Sequence, residues 1–435
     1  MSTTIPETQL AVRWYPASFD VRLENVPTPM IEHPDDAIVK ITFAGLCGSD
    51  LHVYRGLEDV HEIHICGHEF IGHVVALGSS FSPLSPPSRP ELYATLQVGD
   101  KIVSPFTTSC GECSPCRRGF TARCTSSFLF GTPVLPGGQA QYTRVPKAGG
   151  TLFVLPSSIS PNASAPFLDV ATFMALPDPT LLLLADILPT GLFVALQALS
   201  HPKLSPFTAN TSWPNTMDGI LYSHISTSAA PLMEDDRVLT IGVVGLGPVG
   251  LCAILALLDL LEHRQLPTRF RIVASDLNKS RRAKMQNMYN ALPAPSKGPV
   301  GSEFIVCGVE SLPTWARHGC HAVLEVVGTP PALTLALSLL APSGVLSSCG
   351  VHQAPPIPFT GRELYNLNVT LEFGRCSVRA LFGAAAGLLA RRRDVLGVVG
   401  EAGVVERVVS LRDAVSAYEM FEQGRCGKVV FDAWA

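Results

Sequence analysis

Charged side chains are scarce in this sequence. Asp, Glu, Lys and Arg make up 16% of the 435 residues, whereas about 25% is usual for globular domains. The 32 basic and 36 acidic residues nearly balance, so the composition indicates neither nucleic acid nor an anionic membrane as a partner. Aromatic residues are also few, at 7%, but apolar residues reach 47%. That apolar content excludes a disordered chain and is sufficient for buried sheets.

Targeting signals are also lacking. The opening residues, MSTTIPETQLAVRW, have neither the basic nor the apolar region of a secretory signal, so we expect a cytoplasmic protein. Its twelve cysteines are then expected to be thiols and metal ligands rather than disulfides. The uncharged run from Val238 to Leu258 approaches the roughly 20 residues of a membrane span. It contains four glycines and a proline that have a better explanation below, and we expect no membrane partner.

The length of the chain indicates two domains rather than one core. Residues 12–45 predict short strands of alternating polarity that lead directly into Cys47. Two stretches rich in Pro and Ser, residues 81–96 and 201–236, predict surface insertions.

The segments GLCGSDLH and CGHEFIG contain the first metal-ligand candidates, Cys47 and His68. Residues so far apart can share a metal only if the fold brings them together, and Asp186 is the candidate third ligand. A lone Asp among leucines is costly to bury unpaired, so Asp186 either caps a helix that begins near Pro189 or binds a cation. The pattern alone leaves both interpretations open. Three mixed ligands would leave one position of a zinc ion free, as in catalytic zinc sites.

A second metal signal is the run CGECSPCRRGFTARC, with the spacing C-x2-C-x2-C-x7-C. Four cysteines in so short a segment are typical of a closed, structural zinc site. An iron–sulfur cluster is the rival interpretation, but ferredoxin-type runs are spaced differently. Four unliganded thiols would leave the segment with nothing to order it. The predicted structural zinc ligands are Cys110, Cys113, Cys116 and Cys124.

The run VLTIGVVGLGPVGLCAILALLDLL predicts a strand, a glycine turn and a helix. Its glycines form the G-x-G-x-x-G pattern of a dinucleotide site: the first allows a tight turn, the second a close approach to pyrophosphate, and the third helix–strand packing. A second strand follows, FRIVASD, which supplies the context that the motif requires. The candidate residues of the turn are Gly245, Gly247, Pro248, Val249 and Gly250.

Asp276 ends the second strand, where a carboxylate accepts hydrogen bonds from ribose hydroxyls and repels a 2′-phosphate. This favours NAD over NADP. Arg281, a further candidate cofactor residue, and Arg282 weaken the preference because a guanidinium can bind a 2′-phosphate. The alternative interpretation is that both occupy solvated positions on the helix after Asp276. Strands and helices then alternate as far as Cys376, which predicts a doubly wound parallel sheet.

Together the motifs GLCGSDLH, GHEFIG, VGDKIV, CGECSPCRRG, GGQAQY, GLGPVG and KVVFD resemble, in order, the zinc-dependent medium-chain dehydrogenase/reductase (alcohol dehydrogenase) family. The resemblance implies an α/β protein in which a GroES-like β-rich catalytic domain surrounds a Rossmann domain. The implied boundaries are 1–189 for the catalytic domain with its zinc lobe at 105–126, 190–376 for the NAD-binding domain, and 377–435 for a return to the catalytic domain.

The resemblance also implies residue roles. The segment ADILPTG is similar to the third-ligand segment of glutathione-independent formaldehyde dehydrogenases, which favours Asp186 as a metal ligand. Ser49 matches the relay hydroxyl beside the zinc, and His52 matches the residue that passes the proton to solvent. Asp50 would orient the histidine ligand, and Glu69 would lie behind the metal.

The implied protein holds two Zn²⁺ per chain and NAD, and transfers a hydride between NAD and a small-molecule alcohol or carbonyl substrate. It would form a homodimer or homotetramer. Two alternatives remain open: a formaldehyde or aldehyde dehydrogenase or dismutase with tightly bound NAD, and a non-catalytic nucleotide-binding relative. The second would require the loss of a ligand or relay residue, and every such position is filled.

Overall fold

A computed structural model describes residues 5–156, 170–208, 233–263, 268–353 and 356–435. The chain divides into two compact units, one made of Met1–Pro189 with Cys376–Ala435 and the other of Thr190–Arg375. Most of the insertion predicted at 201–236 lies outside the described residues.

The first unit begins with antiparallel β-structure. Its strands up to residue 154 are β1 (Thr8–Trp14), β2 (Val21–Pro27), β3 (Ala37–Leu46), β4 (His64–Ile65), β5 (Phe70–Leu77), β6 (Lys101–Ser104), β7 (Tyr142–Val145) and β8 (Phe153–Val154). Its helices up to residue 181 are single turns or little more: α1 (Asp50–Tyr54), α2 (Leu92–Thr95), α3 (Ser114–Arg117), α4 (Ala148–Thr151), α5 (Val170–Ala175) and α6 (Asp178–Leu181).

The second unit is a parallel sheet with helices between the strands. Its strands are β9 (Leu239–Val244), β10 (Phe270–Ser275), β11 (Glu303–Cys307), β12 (Cys320–Glu325), β13 (Leu340–Ser348) and β14 (Thr370–Phe373). The helices from residue 187 onward are α7 (Ile187–Leu199), α8 (Ser205–Thr208), α9 (Pro248–Glu262), α10 (Lys279–Ala291), α11 (Pro330–Leu339) and α12 (Gly361–Leu367). The strand order β11-β10-β9-β12-β13-β14 is that of a doubly wound dinucleotide-binding fold.

The end of the chain returns to the first unit. It contains α13 (Val378–Arg391), α14 (Arg393–Leu396), β15 (Val405–Ser410), α15 (Ala414–Glu422) and β16 (Lys428–Asp432). β16 pairs antiparallel with β3, with Val430 opposite Gly45. The resulting sheet runs β15-β16-β3-β5-β6-β8, with β7 also on β3, beside a three-stranded sheet β2-β1-β4. The predicted fold class is confirmed.

One expectation about the first unit is wrong in part. Residues 81–96 were expected to form a surface insertion, but Leu92, Tyr93 and Leu96 are buried, and Leu92 and Leu96 belong to the core cluster that contains Phe70 and Ile102. The segment ends in α2, which places these apolar side chains inward. Its Pro- and Ser-rich composition concealed this buried end.

The uncharged run from Val238 to Leu258 is divided between β9 and α9. Across the described ranges no single helix is apolar and long enough to cross a membrane, although the bent pair Asp178–Ala185 and Ile187–Leu199 passes the same test together.

Candidate metal and cofactor sites

The ends of two strands position the first metal-ligand candidates. Cys47 directly follows β3, and His68 lies in the short connection between β4 and β5. Sγ of Cys47 is 3.8 Å from Oδ2 of Asp186, and the same oxygen is 3.4 Å from Nε2 of His68. Glu69 joins them, and one ligand atom from each of the four residues lies within 4.8 Å of the others. The structure therefore brings together the three predicted ligands and a second carboxylate.

The spacing of these atoms fits a zinc ion. Zinc bonds of about 2.0–2.3 Å in tetrahedral geometry place neighbouring donor atoms about 3.3–3.8 Å apart. The separations of the Asp186 oxygen from Cys47 and from His68 both fall in that range. The sulfur, nitrogen and oxygen donors are also types that zinc accepts.

The charges in the cluster call for a cation. Burial raises the pKa of the Cys47 thiol, and the nearby negative charges of Glu69 and Asp186 raise it further. Burial by itself would lower the pKa of His68, but the carboxylates Asp50 and Asp186 hold it well above the usual value. Anionic groups that face one another in a buried place are unfavourable unless a positive charge lies between them. A divalent cation bound here would supply that charge.

The carboxylate of Asp50 contacts two of the ligand candidates, His68 and Cys47. Its Oδ1 lies 3.2 Å from Nδ1 of His68, and its Oδ2 accepts a hydrogen bond of 2.9 Å from the backbone amide of Cys47. A proton on Nδ1 shared with Asp50 leaves Nε2 of His68 free to face the metal. Asp50 thus holds the imidazole in the orientation that a ligand needs.

The two predicted relay residues differ in their surroundings. Oγ of Ser49 lies 3.2 Å from Nε2 of His68, the atom that faces the candidate metal position. Nδ1 of His52 is buried and has no hydrogen-bond partner among the described residues. Burial lowers the pKa of His52, as does the charge of Arg55. His52 is therefore neutral near pH 7 and able to accept a proton.

The four cysteines of the predicted lobe converge. Their sulfur atoms are 4.0 Å apart for Cys110 and Cys116, 3.8 Å for Cys113 and Cys124, and 3.5 Å for Cys110 and Cys124. Zinc–sulfur bonds of about 2.3 Å in a tetrahedron place sulfur atoms about 3.8 Å apart, so a single ion fits.

Backbone amides also point at this cluster. The amides of Glu112 and Cys113 donate to Sγ of Cys110 over 3.3 and 3.2 Å, and the amide of Cys110 donates to Sγ of Cys124 over 3.3 Å. Hydrogen bonds to sulfur favour the thiolate form that binds a metal.

The glycine turn after β9 combines close packing with open space. Gly245 adopts φ +101°, and a Cβ there would lie 2.5 Å from Val327. A Cβ on Gly250 would lie 2.0 Å from the carbonyl oxygen of Gly245, so only glycine allows the close packing there. A Cβ on Gly247 would meet no atom of the described structure within 4 Å. That open space lies before the first turn of α9, where Pro248 begins the helix and free amides can hold phosphate.

Asp276 is tied to the glycine turn. Its Oδ2 accepts a hydrogen bond of 2.7 Å from the amide of Leu246, and its Oδ1 one of 2.8 Å from the amide of Asn278. Arg281 places Nη1 3.7 Å from the same carboxylate. The carboxylate is thereby fixed just after β10 and hydrogen-bonded to the residue that precedes Gly247.

Sequence reasoning missed two buried residues near the metal cluster. Lys428 is fully buried and bonds Glu69, and Gln139 donates to the carbonyl of Gly45 over 3.0 Å. Both belong to recognised segments, KVVFD and GGQAQY, but no local pattern marks their partners. Their signal was the presence of a polar residue within an otherwise apolar strand or turn.

Known proteins resemble this chain over most of its length. Residues 33–157 match the family model of the alcohol dehydrogenase GroES-like domain. Zinc-type alcohol dehydrogenase B of Aspergillus flavus is 33% identical over 420 residues, which covers 95% of this chain and 79% of that protein. Formaldehyde dismutase of Pseudomonas putida is 24% identical over 454 residues, 96% of each chain.

A solved structure agrees with the sequence comparisons. The alcohol dehydrogenase TADH from Thermus sp. ATN1 superposes with a TM-score of 0.69 and 26% identity, covering 97% of this chain and 99% of that one. Together with the metal cluster and the glycine turn, these similarities place the chain. It belongs to the zinc-dependent medium-chain dehydrogenase/reductase family and is an oxidoreductase of the alcohol dehydrogenase type.

Proposed function

We propose that this protein transfers a hydride between the carbinol carbon of a small-molecule alcohol and NAD, in either direction. The observation that carries the proposal is the convergence of Cys47, His68 and Asp186 with Ser49 beside Nε2 of His68. Zinc held by this set would act as a Lewis acid that lowers the pKa of a bound alcohol. The side chains of this protein bind and orient the substrate and accept its proton.

We assign two zinc ions to each chain. Cys47, His68 and Asp186 would hold the catalytic ion, with one position left for substrate. The thiolate and the carboxylate balance its charge, so a substrate oxygen is not trapped as a tight ion pair. The second ion is structural, and its ligands are Cys110, Cys113, Cys116 and Cys124.

Ser49 and His52 transfer the substrate proton to solvent. The hydroxyl of Ser49, beside the metal-facing atom of His68, accepts a proton from the substrate oxygen as it gives up its own hydroxyl proton. His52, whose lowered pKa leaves it neutral, receives the proton and releases it to solvent. Glu69 lies behind the metal position, bound to Lys428.

NAD is the proposed cofactor. The space above Gly247 receives the pyrophosphate, at the first turn formed by Pro248 and Val249, and Asp276 receives the ribose hydroxyls. The fixed negative charge of Asp276 opposes a 2′-phosphate, which disfavours NADP. Arg281 reduces that discrimination because its guanidinium lies beside the same position.

The assignments beyond the site stay predictions. They are a homodimer or homotetramer, a cytoplasmic location, the domain boundaries 1–189, 190–376 and 377–435, and the absence of nucleic-acid and membrane partners.

The test is a substrate screen combined with a metal count. Primary alcohols, secondary alcohols, polyols and formaldehyde are offered with NAD and with NADP, while zinc per chain is measured on the same preparation. We expect NAD reduction with at least one alcohol class and two zinc ions per chain. A protein that holds one zinc, in the four-cysteine lobe, and transfers no hydride would contradict the proposal.

A second candidate is the oxidation or dismutation of formaldehyde or another aldehyde. It is favoured by the similarity to formaldehyde dismutase along 96% of both chains and by the carboxylate of Asp186 in the ligand set. Dismutation regenerates NAD within each cycle, so it requires tightly held cofactor. NAD that remains bound through purification, with aldehyde turnover in the absence of added NAD, would favour this candidate. A non-catalytic relative is disfavoured because every ligand and relay position is filled.

A further inference from the structure

Lys428 and Glu69 form an ion pair that is fully excluded from solvent. Both side chains are 0% exposed, and Nζ of Lys428 donates a hydrogen bond of 2.5 Å to Oε2 of Glu69. Taking two charges out of water costs about as much as their attraction returns. A pair of this kind therefore contributes little net stability, and its effect lies in what it positions.

The fold leaves room for this pair at Gly45. A Cβ on Gly45 would lie 2.2 Å from Oε2 of Glu69 and 3.0 Å from Nζ of Lys428. The pairing of β16 with β3, in which Val430 faces Gly45, sets the place of Lys428 at the start of β16. The backbone thus holds the ammonium group against one oxygen of the carboxylate.

The other carboxylate oxygen of Glu69, Oε1, has a different environment. Oε1 is buried and lacks a hydrogen-bond partner within the described part of the chain. An oxygen of Glu69 also lies within 4.8 Å of the ligand atoms of Cys47, His68 and Asp186. Glu69 thus belongs to the metal cluster by position, but one of its oxygens is held by Lys428.

The charges around the metal position explain why the ion pair between Lys428 and Glu69 matters. The thiolate of Cys47 and the carboxylate of Asp186 together balance one divalent cation. Glu69 brings a further negative charge, and Lys428 balances it. If Lys428 lost its charge, the metal ion would be the nearest cation for a carboxylate that has no access to water.

We propose that Lys428 is a positioning residue that keeps the Glu69 carboxylate off the catalytic metal and so keeps the fourth coordination position open to substrate. The inference rests on the proposed zinc centre. Lys428 acts through Glu69 and not on the substrate itself.

The test uses Co²⁺-substituted protein, whose visible absorption reports coordination, titrated with imidazole as an added ligand. In the parent protein, imidazole enters the open position and changes the spectrum. In Lys428→Met, we expect Glu69 to fill that position. Imidazole affinity then falls by about 10-fold or more, which corresponds to 1.4 kcal/mol. The metal is also lost more slowly to EDTA, because it has gained a protein ligand.

The matched variant is Lys428→Met combined with Glu69→Gln. It removes both charges of the pair, so no buried charge is left unpaired, and we expect imidazole binding to return. Recovery in the double variant measures the coupling between the two residues. A residue with a purely structural role would change thermal stability without this pattern.

Two results would overturn the inference. One is a Lys428→Met protein whose imidazole affinity and rate of metal loss equal those of the parent. The other is a double variant that stays as weak as the single one, since the loss would then not act through Glu69. If Lys428→Met does not fold, Lys428→Gln carries the same expectations. A parent protein without metal at Cys47 and His68 would instead refute the proposed function itself, which the metal count detects separately.

Discussion

Sγ of Cys47 lies 3.8 Å from Oδ2 of Asp186, although 139 positions of sequence separate the two residues. Each reaches the cluster from a different element: Cys47 follows β3, and Asp186 lies directly before α7. Neither residue alone would form a metal site.

Replacement of Asp186 by Asn is expected to empty the catalytic centre and leave the four-cysteine lobe loaded. The amide lacks the charge that balances the ion, so zinc per chain should fall from two toward one. Turnover should fall by about 100-fold or more, beyond the 10- to 100-fold typical of residues that only support a ligand. Asp178→Asn is the control, because that carboxylate pairs with Lys101 outside the cluster. Full zinc retention in Asp186→Asn would contradict the ligand assignment.

Ser49→Ala should slow turnover without loss of metal. Removal of a group that transfers a proton in the transition state typically lowers the rate about 10²- to 10⁴-fold. Ser49→Thr keeps a hydroxyl and should retain much of the activity. The checks are kcat across pH and zinc content for all three proteins. Unchanged turnover of Ser49→Ala at neutral pH would show that this hydroxyl does not relay the proton.

Substitutions at two glycines of the same turn should have different effects, one on NAD binding and the other on stability. Gly247→Val projects a side chain into open space, so the fold should survive while NAD binding weakens by about 10-fold or more, a loss of 1.4 kcal/mol. Gly250→Ala forces a methyl group against the carbonyl of Gly245. Such overpacking typically costs about 1–3 kcal/mol of folding free energy. Calorimetric NAD titration and thermal unfolding distinguish the two, and equal effects of both variants would argue against the distinct roles.

The second unit should lose stability in mild acid because of His321. Burial lowers the pKa of this histidine to about 4, and its Nδ1 accepts a 3.0 Å hydrogen bond from the amide of Thr240. The unfolded chain, with a histidine pKa of about 6.5, binds the proton first as pH falls. Stability is therefore complete above about pH 6.5 and declines by up to about 3 kcal/mol as pH approaches 4.

Urea unfolding at a series of pH values tests this expectation. His321→Gln should flatten the decline between pH 6.5 and 4. The exposed His318 provides the control, since His318→Gln should leave the decline intact. An equal slope in the parent and in His321→Gln would assign the acid sensitivity to other groups.

Local motifs could be recognised from sequence because their chemistry is carried by neighbouring residues. The cysteines from Cys110 to Cys124 and the glycines from Gly245 to Gly250 each occupy a short run, so spacing alone indicates what they bind. Asp186 was different: its pattern suited a helix cap as well as a ligand, and only the family resemblance favoured the ligand. Proximity to Cys47 and His68 is a property of the fold.

The surroundings of the metal cluster could not be derived in the same way. Lys428 pairs with a carboxylate 359 positions away, and no periodicity or spacing connects two such residues. The segment 81–96 shows the same limit, because its composition indicated a surface insertion while Leu92, Tyr93 and Leu96 are buried.

The sequence by itself determined the kinds of chemistry present: thiolates, an imidazole and carboxylates suited to zinc, and a glycine turn suited to a dinucleotide. These depend on residue type and short-range order. Only the tertiary structure decided that Asp186 reaches Cys47 and His68, that Ser49 lies beside Nε2 of His68, and that Lys428 holds one oxygen of Glu69. The physical reason is that burial, charge compensation and hydrogen bonding are set by atoms that folding brings together from distant parts of the chain.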